Sequence, residues 1–170
     1  MSTASSNPEF TIRPARDDEA GLVLDFIQAL AEYEKLGHEV VATEENLKES
    51  LFGPRPYAEV IFGCENDVPV GFAIFFHNFS TFLGRPGLYL EDLFVHIDHR
   101  GKGYGKALLV ELARLAVQRG CGRLDWAVLD WNAPAIGFYE SLGAELMTEW
   151  RTFRLTGDAL NHLAGQTDPD

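Results

Sequence analysis

The chain has little that would staple or anchor it. Its 170 residues hold two cysteines, Cys64 and Cys121, whose spacing is not that of a zinc site. That excludes a disulfide scaffold, and a reduced, cytoplasmic protein without metal is the simplest expectation. No apolar run reaches the ~18 residues that a membrane span needs. Basic residues are scarce: Lys and Arg total 14 against 26 Asp and Glu, giving a formal net charge of −12. Such a surface repels nucleic acid phosphates and anionic membranes, so neither is expected as a partner, and it favours cationic ligands. Internal repeats and low-complexity linkers are absent. Residues 1–8, MSTASSNP, lack a basic start followed by an apolar core and read as a disordered polar leader.

What is present is a well-patterned globular chain, 46% hydrophobic. One domain is expected over 9–165, with a short tail over 166–170. A strand over 10–13 is closed by Pro14. Asp17 or Asp18 is placed to cap a helix in which Leu22, Phe26 and Leu30 recur at helical spacing. Thr43 is the expected cap of a second helix, stopped by Gly53 and Pro54. Strands follow over 58–65 and 70–77, joined by turn chemistry at Asn66, Asp67 and Pro69. A strand over 88–96 leads through a glycine-rich segment into a helix over 104–119, with Leu108, Leu112 and Leu115 on one face. A strand over 123–129, a short helix from Asn132 or Ala133 to Leu142, a strand over 147–155 and a helical turn over 158–164 complete the chain. The order β-α-α-β-β-β-α-β-α-β implies an α/β (α+β) fold, a mixed central sheet with helices on both faces.

The most informative segment is Arg100-Gly101-Lys102-Gly103-Tyr104-Gly105. The first turn of a helix has N–H groups without partners and a partial positive charge, and glycines let a ligand approach the backbone. A phosphate or diphosphate suits such a site, with Arg100 and Lys102 adding cationic side chains. Gly105-Lys106-Ala107 lacks the hydroxyl of a P-loop, and Lys106 stands where a dinucleotide fingerprint needs glycine or alanine.

In the preceding strand, alternation puts Tyr89, Glu91, Leu93 and Val95 on one face and Leu90, Asp92, Phe94 and His96 on the other. Glu91 and Asp92 thus give each face a carboxylate, costly inside an apolar strand unless paired or working. His96 and His99 read as exposed loop residues, and Trp126, Trp131 and Trp150 as core residues for the most part.

Arg100-x-x-Gly103-x-Gly105 resembles the diphosphate-binding signature of the GNAT acetyltransferase superfamily. The likeness extends from about Phe10 to Ala164 and is nearest the spermidine/spermine (diamine) and thialysine acetyltransferases. It is carried by Phe10-Thr11-Ile12-Arg13-Pro14-Ala15, Ala31-Glu32-Tyr33-Glu34, residues 88–95 (LYLEDLFV), Trp131-Asn132-x-Pro134 and Phe138-Tyr139. The resemblance implies a GNAT fold and transfer of acetyl from acetyl-CoA to a small cationic amine. It implies Glu91 as base, ranked above its neighbour Asp92, and Tyr139 as the acid that protonates the leaving thiolate. Tyr33, Glu34, Asp92 and Glu149 would contact the amine. The backbone of Leu93, Phe94 and Val95 would hold the pantetheine arm. Arg100, Gly101, Lys102, Gly103, Tyr104, Gly105 and Lys106 would cradle the diphosphate, Asn132 would hold the cofactor arm by hydrogen bonding, and Pro134 would contact the cofactor. It also implies a homodimer. The rival expectations are a protein or peptide N-acetyltransferase and, in another class, a non-catalytic acyl-CoA-binding module.

Overall fold

A computed structural model of the chain describes residues 8–166. Most of the expected leader, and the tail beyond 166, lie outside the described residues. Packing divides the chain into two compact units, Met1–Ala127 and Val128–Asp170.

The first unit is built on strands β1 (Phe10–Pro14), β2 (Glu59–Glu65), β3 (Val68–Ser80), β4 (Arg85–Val95) and β5 (Leu124–Trp126). They lie side by side in sequence order, antiparallel except for the parallel β4–β5 pair. The expected β2–β3 turn forms at Asn66 and Asp67, whose positive φ angles of 49° and 66° fit a two-residue hairpin that follows the strand twist.

Helices α1 (Ala20–Tyr33) and α2 (Glu44–Phe52) cover one face. Val23, Phe26 and Leu30 of α1 bury against Val60, Phe62, Cys64, Phe72 and Phe94, with Leu51 of α2 beside them. Thr43 caps α2 as expected, and its partner in the capping box is Asn46. Neither Asp17 nor Asp18 caps α1. The cap position is Glu19, whose carboxylate is turned instead to Arg13 and to the Arg16 N–H.

Helix α3 (Tyr104–Gln118) packs on the opposite face through Leu108 and Leu112, both fully buried. A Cβ at Gly63 or Gly71 would stand 3.6 or 3.5 Å from Leu108, so β2 and β3 present bare backbone to the helix. Helices on both faces of a mixed sheet are therefore observed.

The second unit holds α4 (Ala133–Ser141) and α5 (Gly157–Ala164). The strand expected over 147–155 does not form. A turn at Thr148 and Glu149, closed by a 3.4 Å bond from the Trp150 N–H to the Met147 carbonyl, breaks the run, and no ladder partner is found among the described residues. Trp131 and Trp150 are 56% and 75% exposed, so neither is a core residue.

Candidate active site

The chemistry is concentrated where β4 loses its neighbours. On one side β5 pairs only with Leu88, Tyr89 and Leu90, so residues 91–95 have no ladder partner on that edge among the described residues. On the other side the β3 register slips by one: Phe75 faces Leu90 and Ile74 faces Asp92, leaving Glu91 as the bulged residue.

The bulge revises the expected alternation. Leu93 and Val95 pack toward Gly105 of α3, and Leu90 pairs with buried Phe75. Asp92 pairs with Ile74, which packs in the α1 core with Phe94. Tyr89 and Leu90 have thus exchanged faces relative to strict alternation, and Glu91, outside the ladder, is exposed.

Parity also decides which backbone groups are free. The His96 N–H bonds the Val70 carbonyl at 2.9 Å, so Phe94 and Asp92 turn their polar groups to β3 and those of Leu93 and Val95 face the open edge. The Val95 carbonyl confirms the sense by accepting the Arg100 Nε–H at 2.8 Å. The backbone share expected of Leu93, Phe94 and Val95 narrows to Leu93 and Val95. An extended amide-bearing arm would add to this edge as another strand does.

The carboxylates differ in environment. Burial first, then the charges of Glu91 and Glu34, push the Asp92 carboxyl up to about 6. Burial also raises Glu34, the residue that ends α1. Asp92, Glu34 and Glu91 thus form an acidic group with a buried member, which favours a cation beside it. Tyr33 is 47% exposed, its ring tilted against Phe94 with centres 6.3 Å apart. Glu149 lies in the second unit, in the turn that interrupts the expected strand.

The glycine-rich turn has the predicted form. Arg100 has φ −76°, Gly101 φ +76° and Gly103 φ +81°, and Lys102 is not among the positive-φ residues. Left-handed φ at Gly101 and Gly103 carries the chain from extended Arg100, ψ 163°, into the first turn of α3, and the N–H groups of such a turn make a nest for an anion. The N–H groups over 103–106 make no backbone hydrogen bond among the described residues, and the dipole of α3 points at the turn. A diphosphate fits this cradle by its backbone alone.

The side chains expected to assist are otherwise engaged. The Arg100 N–H bonds the Ile97 carbonyl at 3.3 Å, and its guanidinium lies 4.3 Å from the Tyr33 ring centre. Lys102 Nζ and the Tyr104 hydroxyl both donate to Glu65, at 2.9 and 2.5 Å. His99 is half-buried, with Nδ1 3.5 Å from the same Glu65 oxygen, and His96 packs tilted against Phe26, ring centres 4.7 Å apart. Neither histidine is the exposed loop residue expected. Sequence patterning does not single out Glu65; an acid ending the apolar run 60–64 is its only signal.

In the second unit Asn132 caps α4, its side-chain oxygen accepting the Ala135 N–H at 3.3 Å. It stands outside the helix proper, so the cap and not helical periodicity directs it. Pro134 sits in the first turn, where its missing N–H costs nothing. Tyr139 is on α4, and burial raises its phenol above the ordinary value.

Comparison with known proteins bears on the whole arrangement. The model of the acetyltransferase (GNAT) family matches residues 24–144, a stretch that includes the open edge, the glycine-rich turn and Tyr139. The chain is 38% identical to the thialysine N-epsilon-acetyltransferase of Mus musculus, over 91% of this chain and 97% of that one. It is 37% identical to an L-ornithine N5-acetyltransferase of Arabidopsis thaliana, over 89% and 86% of the two chains. Among solved structures, an integron cassette protein from the mobile metagenome of V. cholerae superposes with a TM-score of 0.77 at 33% identity, covering 92% of this chain and 98% of that one. The chain belongs to the GNAT acetyltransferase family, N-acetyltransferases that take acetyl-CoA as co-substrate.

Proposed function

We propose that the protein moves the acetyl group of acetyl-CoA to the terminal amine of a small cation, a thialysine-like or ornithine-like amino acid or a diamine, by direct attack on the thioester. The observation that carries this reading is that one strand bears both halves of the chemistry. Its carboxylates, Glu91 and Asp92, stand immediately before its open edge at Leu93 and Val95. The names of the relatives, thialysine and ornithine acetyltransferases, support an amine at the end of a short chain.

Acetyl-CoA supplies an activated acetyl group on sulfur. The nest over 101–106 holds its diphosphate, and the open edge at Leu93 and Val95 bonds the amides of its arm. A backbone N–H on that edge also stabilises the charge developing on the thioester oxygen.

An alkyl amine has a pKa of about 10.4, so near pH 7 only roughly one molecule in two thousand is neutral. Asp92 and Glu34 hold the ammonium, with Tyr33 as the wall beside them. Glu91, exposed at the bulge, takes the proton, directly or through water. Tyr139 returns a proton to the departing thiolate, and its raised phenol keeps that proton available at neutral pH. Asn132 and Pro134 shape the approach to Tyr139, and Glu149 answers a second positive charge on the substrate.

A single domain over 9–165 is part of this reading, supported by a family match over residues 24–144 that runs past the boundary between the two units. The protein works as a homodimer in the cytoplasm. Exposed Trp150 and Phe153, 75% and 97% accessible, support the first, and two free cysteines the second. The net charge of −12 favours a cationic small molecule over nucleic acid or an anionic membrane as partner. No helix among the described residues is long and apolar enough to cross a membrane.

The test is thiol release from acetyl-CoA with thialysine, ornithine, lysine, a diamine series and short peptides. Turnover with terminal amines of small cations, and none with peptides, is the expected result. Activity confined to peptides would give the rival peptide reading the site. Silence throughout, with acetyl-CoA still bound, would mark a non-catalytic module.

A further inference from the structure

Gly101 and Gly103 adopt positive φ with no atom within 4 Å of the position a Cβ would take, whereas Gly105 packs on Leu93 and Val95. Packing therefore holds the end of the turn and leaves its middle bare. Glycine also loses more conformational freedom on folding than any other residue. Something other than packing must keep the N–H groups over 101–106 converged.

Apart from Arg100, which is held at Val95 and Tyr33, the side chains around the turn gather at one carboxylate. Glu65 Oε2 accepts from the Tyr104 hydroxyl at 2.5 Å and from Lys102 Nζ at 2.9 Å, and His99 Nδ1 lies 3.5 Å away. These residues stand before, within and after the two bare glycines. The anchor is itself fixed. Glu65 ends β2, with its backbone paired to Phe10 and Val68. The hairpin beyond it is tied to the start of β1 by Asn66 N–H to the Glu9 carbonyl at 2.8 Å and Glu9 N–H to Asn66 Oδ1 at 3.1 Å. Phe10 stacks flat on Tyr104, ring centres 4.0 Å apart, so the tyrosine is held along its face as well as at its hydroxyl. The contacts hold the Glu65 carboxyl down at about 2 and the Tyr104 phenol up at about 12, so the carboxylate stays an acceptor and the phenol a donor throughout the neutral range.

We propose that Glu65 is a positioning residue for the co-substrate: it touches neither substrate, and it holds the nest over 101–106 in the shape that receives a diphosphate. The inference rests on the acetyl-CoA reading above. Lys102 is part of the support that Glu65 gathers, and the backbone, kept in place in advance, binds the phosphates. Preorganisation of this kind appears in affinity for the ligand that uses it and not in the chemical step.

The experiment compares wild-type protein with Glu65→Ala, Glu65→Gln, Tyr104→Phe and the double variant Glu65→Ala/Tyr104→Phe, using acetyl-CoA and S-acetylpantetheine, which lacks the diphosphate. Glu65→Ala is expected to raise the KM for acetyl-CoA roughly tenfold, with kcat and the amine KM within about twofold of wild type. With S-acetylpantetheine its kcat/KM should match wild type. The double variant should lose no more than Glu65→Ala, because the tyrosine acts through the carboxylate. Glu65→Gln keeps the shape, accepts from Tyr104 and releases Lys102, so a smaller rise is expected; it carries the test if Glu65→Ala does not fold. An unchanged acetyl-CoA KM in Glu65→Gln and Glu65→Ala would overturn the proposal, as would an equal loss on both thioesters. Wild-type protein that gives no heat with acetyl-CoA in calorimetry would instead overturn the co-substrate reading beneath it.

Discussion

The Arg100 guanidinium lies 4.3 Å from the centre of the Tyr33 ring and donates from Nε to the Val95 carbonyl at 2.8 Å. The first residue of the diphosphate signature is thereby built into the wall of the proposed amine pocket. A stacked cation contributes about 0.5–1 kcal/mol at an exposed aromatic, and a hydrogen bond from a charged donor about 1.5–3 kcal/mol. Arg100→Ala should therefore raise the amine KM by about tenfold and the acetyl-CoA KM by less. Initial rates with each substrate varied in turn check the order of the two effects; a larger change for acetyl-CoA would return Arg100 to the phosphates.

Asp92 should set the acid limb of the rate profile. Its carboxyl is pushed up to about 6, chiefly by burial, and only its ionised form attracts an ammonium. The kcat/KM for the amine is expected to fall below about pH 6, and Asp92→Asn should lower it by about 10²-fold and flatten that limb. The same shift fixes a stability change. A raised carboxyl pKa means that ionisation costs the folded state more than the unfolded one. The cost is absent in strong acid and complete above pH 6. Asp92→Asn should accordingly be more stable than wild type at pH 7–8, by at most about 3 kcal/mol, and equal to it near pH 3. Denaturant midpoints at the two pH values decide it.

The sequence made the frame of this site readable, because periodicity reports what packs against what. Phe26 and Leu30 at helical spacing, and Leu108 and Leu112, are the residues that cover the two faces of the sheet. The turn at Asn66 and Asp67 and the nest at Gly101 and Gly103 were readable for a related reason: few residues tolerate such backbone, so those that do mark it. The bulge at Glu91 was not readable, since a one-residue slip in pairing depends on the partner strand and leaves composition untouched. The missing strand after Met147 is the same lesson reversed, a run in which Met147, Trp150, Phe153 and Leu155 suggest a strand and no edge among the described residues pairs with it. Glu65 went unread because its partners lie 34 to 39 positions along the chain, at His99, Lys102 and Tyr104.

Glu19 should be an acid-sensitive tie of the first unit. Its carboxylate takes two bonds from Arg13, at 2.7 and 2.9 Å, and one from the Arg16 N–H at 2.8 Å, and its side chain is only 10% exposed. The Arg13 guanidinium holds it down at about 2. A depressed carboxyl pKa stabilises the fold above the usual carboxylate range, and that contribution is lost as pH falls toward 2. Glu19→Gln should cost about 2–3 kcal/mol at pH 7, with the difference from wild type shrinking below pH 4.5 and gone near pH 2. Urea unfolding of both proteins across that range gives the curve. A difference that does not change with pH would mean that shape and not charge holds the tie.

Tyr139 offers the sharpest test of the proposed mechanism. A phenol that protonates a leaving thiolate contributes only once the carbon–sulfur bond begins to break, so its removal acts on the transition state and not on binding. Tyr139→Phe should lower kcat by about 10²-fold while the KM for acetyl-CoA changes by less than about threefold. Burial raises the Tyr139 phenol, which places the loss of its proton, and the fall in rate that follows, on the far alkaline side of the profile. The variant should lack that alkaline fall. A better leaving group separates proton donation from simple packing: with an acyl donor whose thiol is more acidic, the departing sulfur needs less help and the gap between Tyr139→Phe and wild type should narrow. A gap of constant size across such donors would assign Tyr139 to the architecture of α4 and leave the thiolate to be protonated by water.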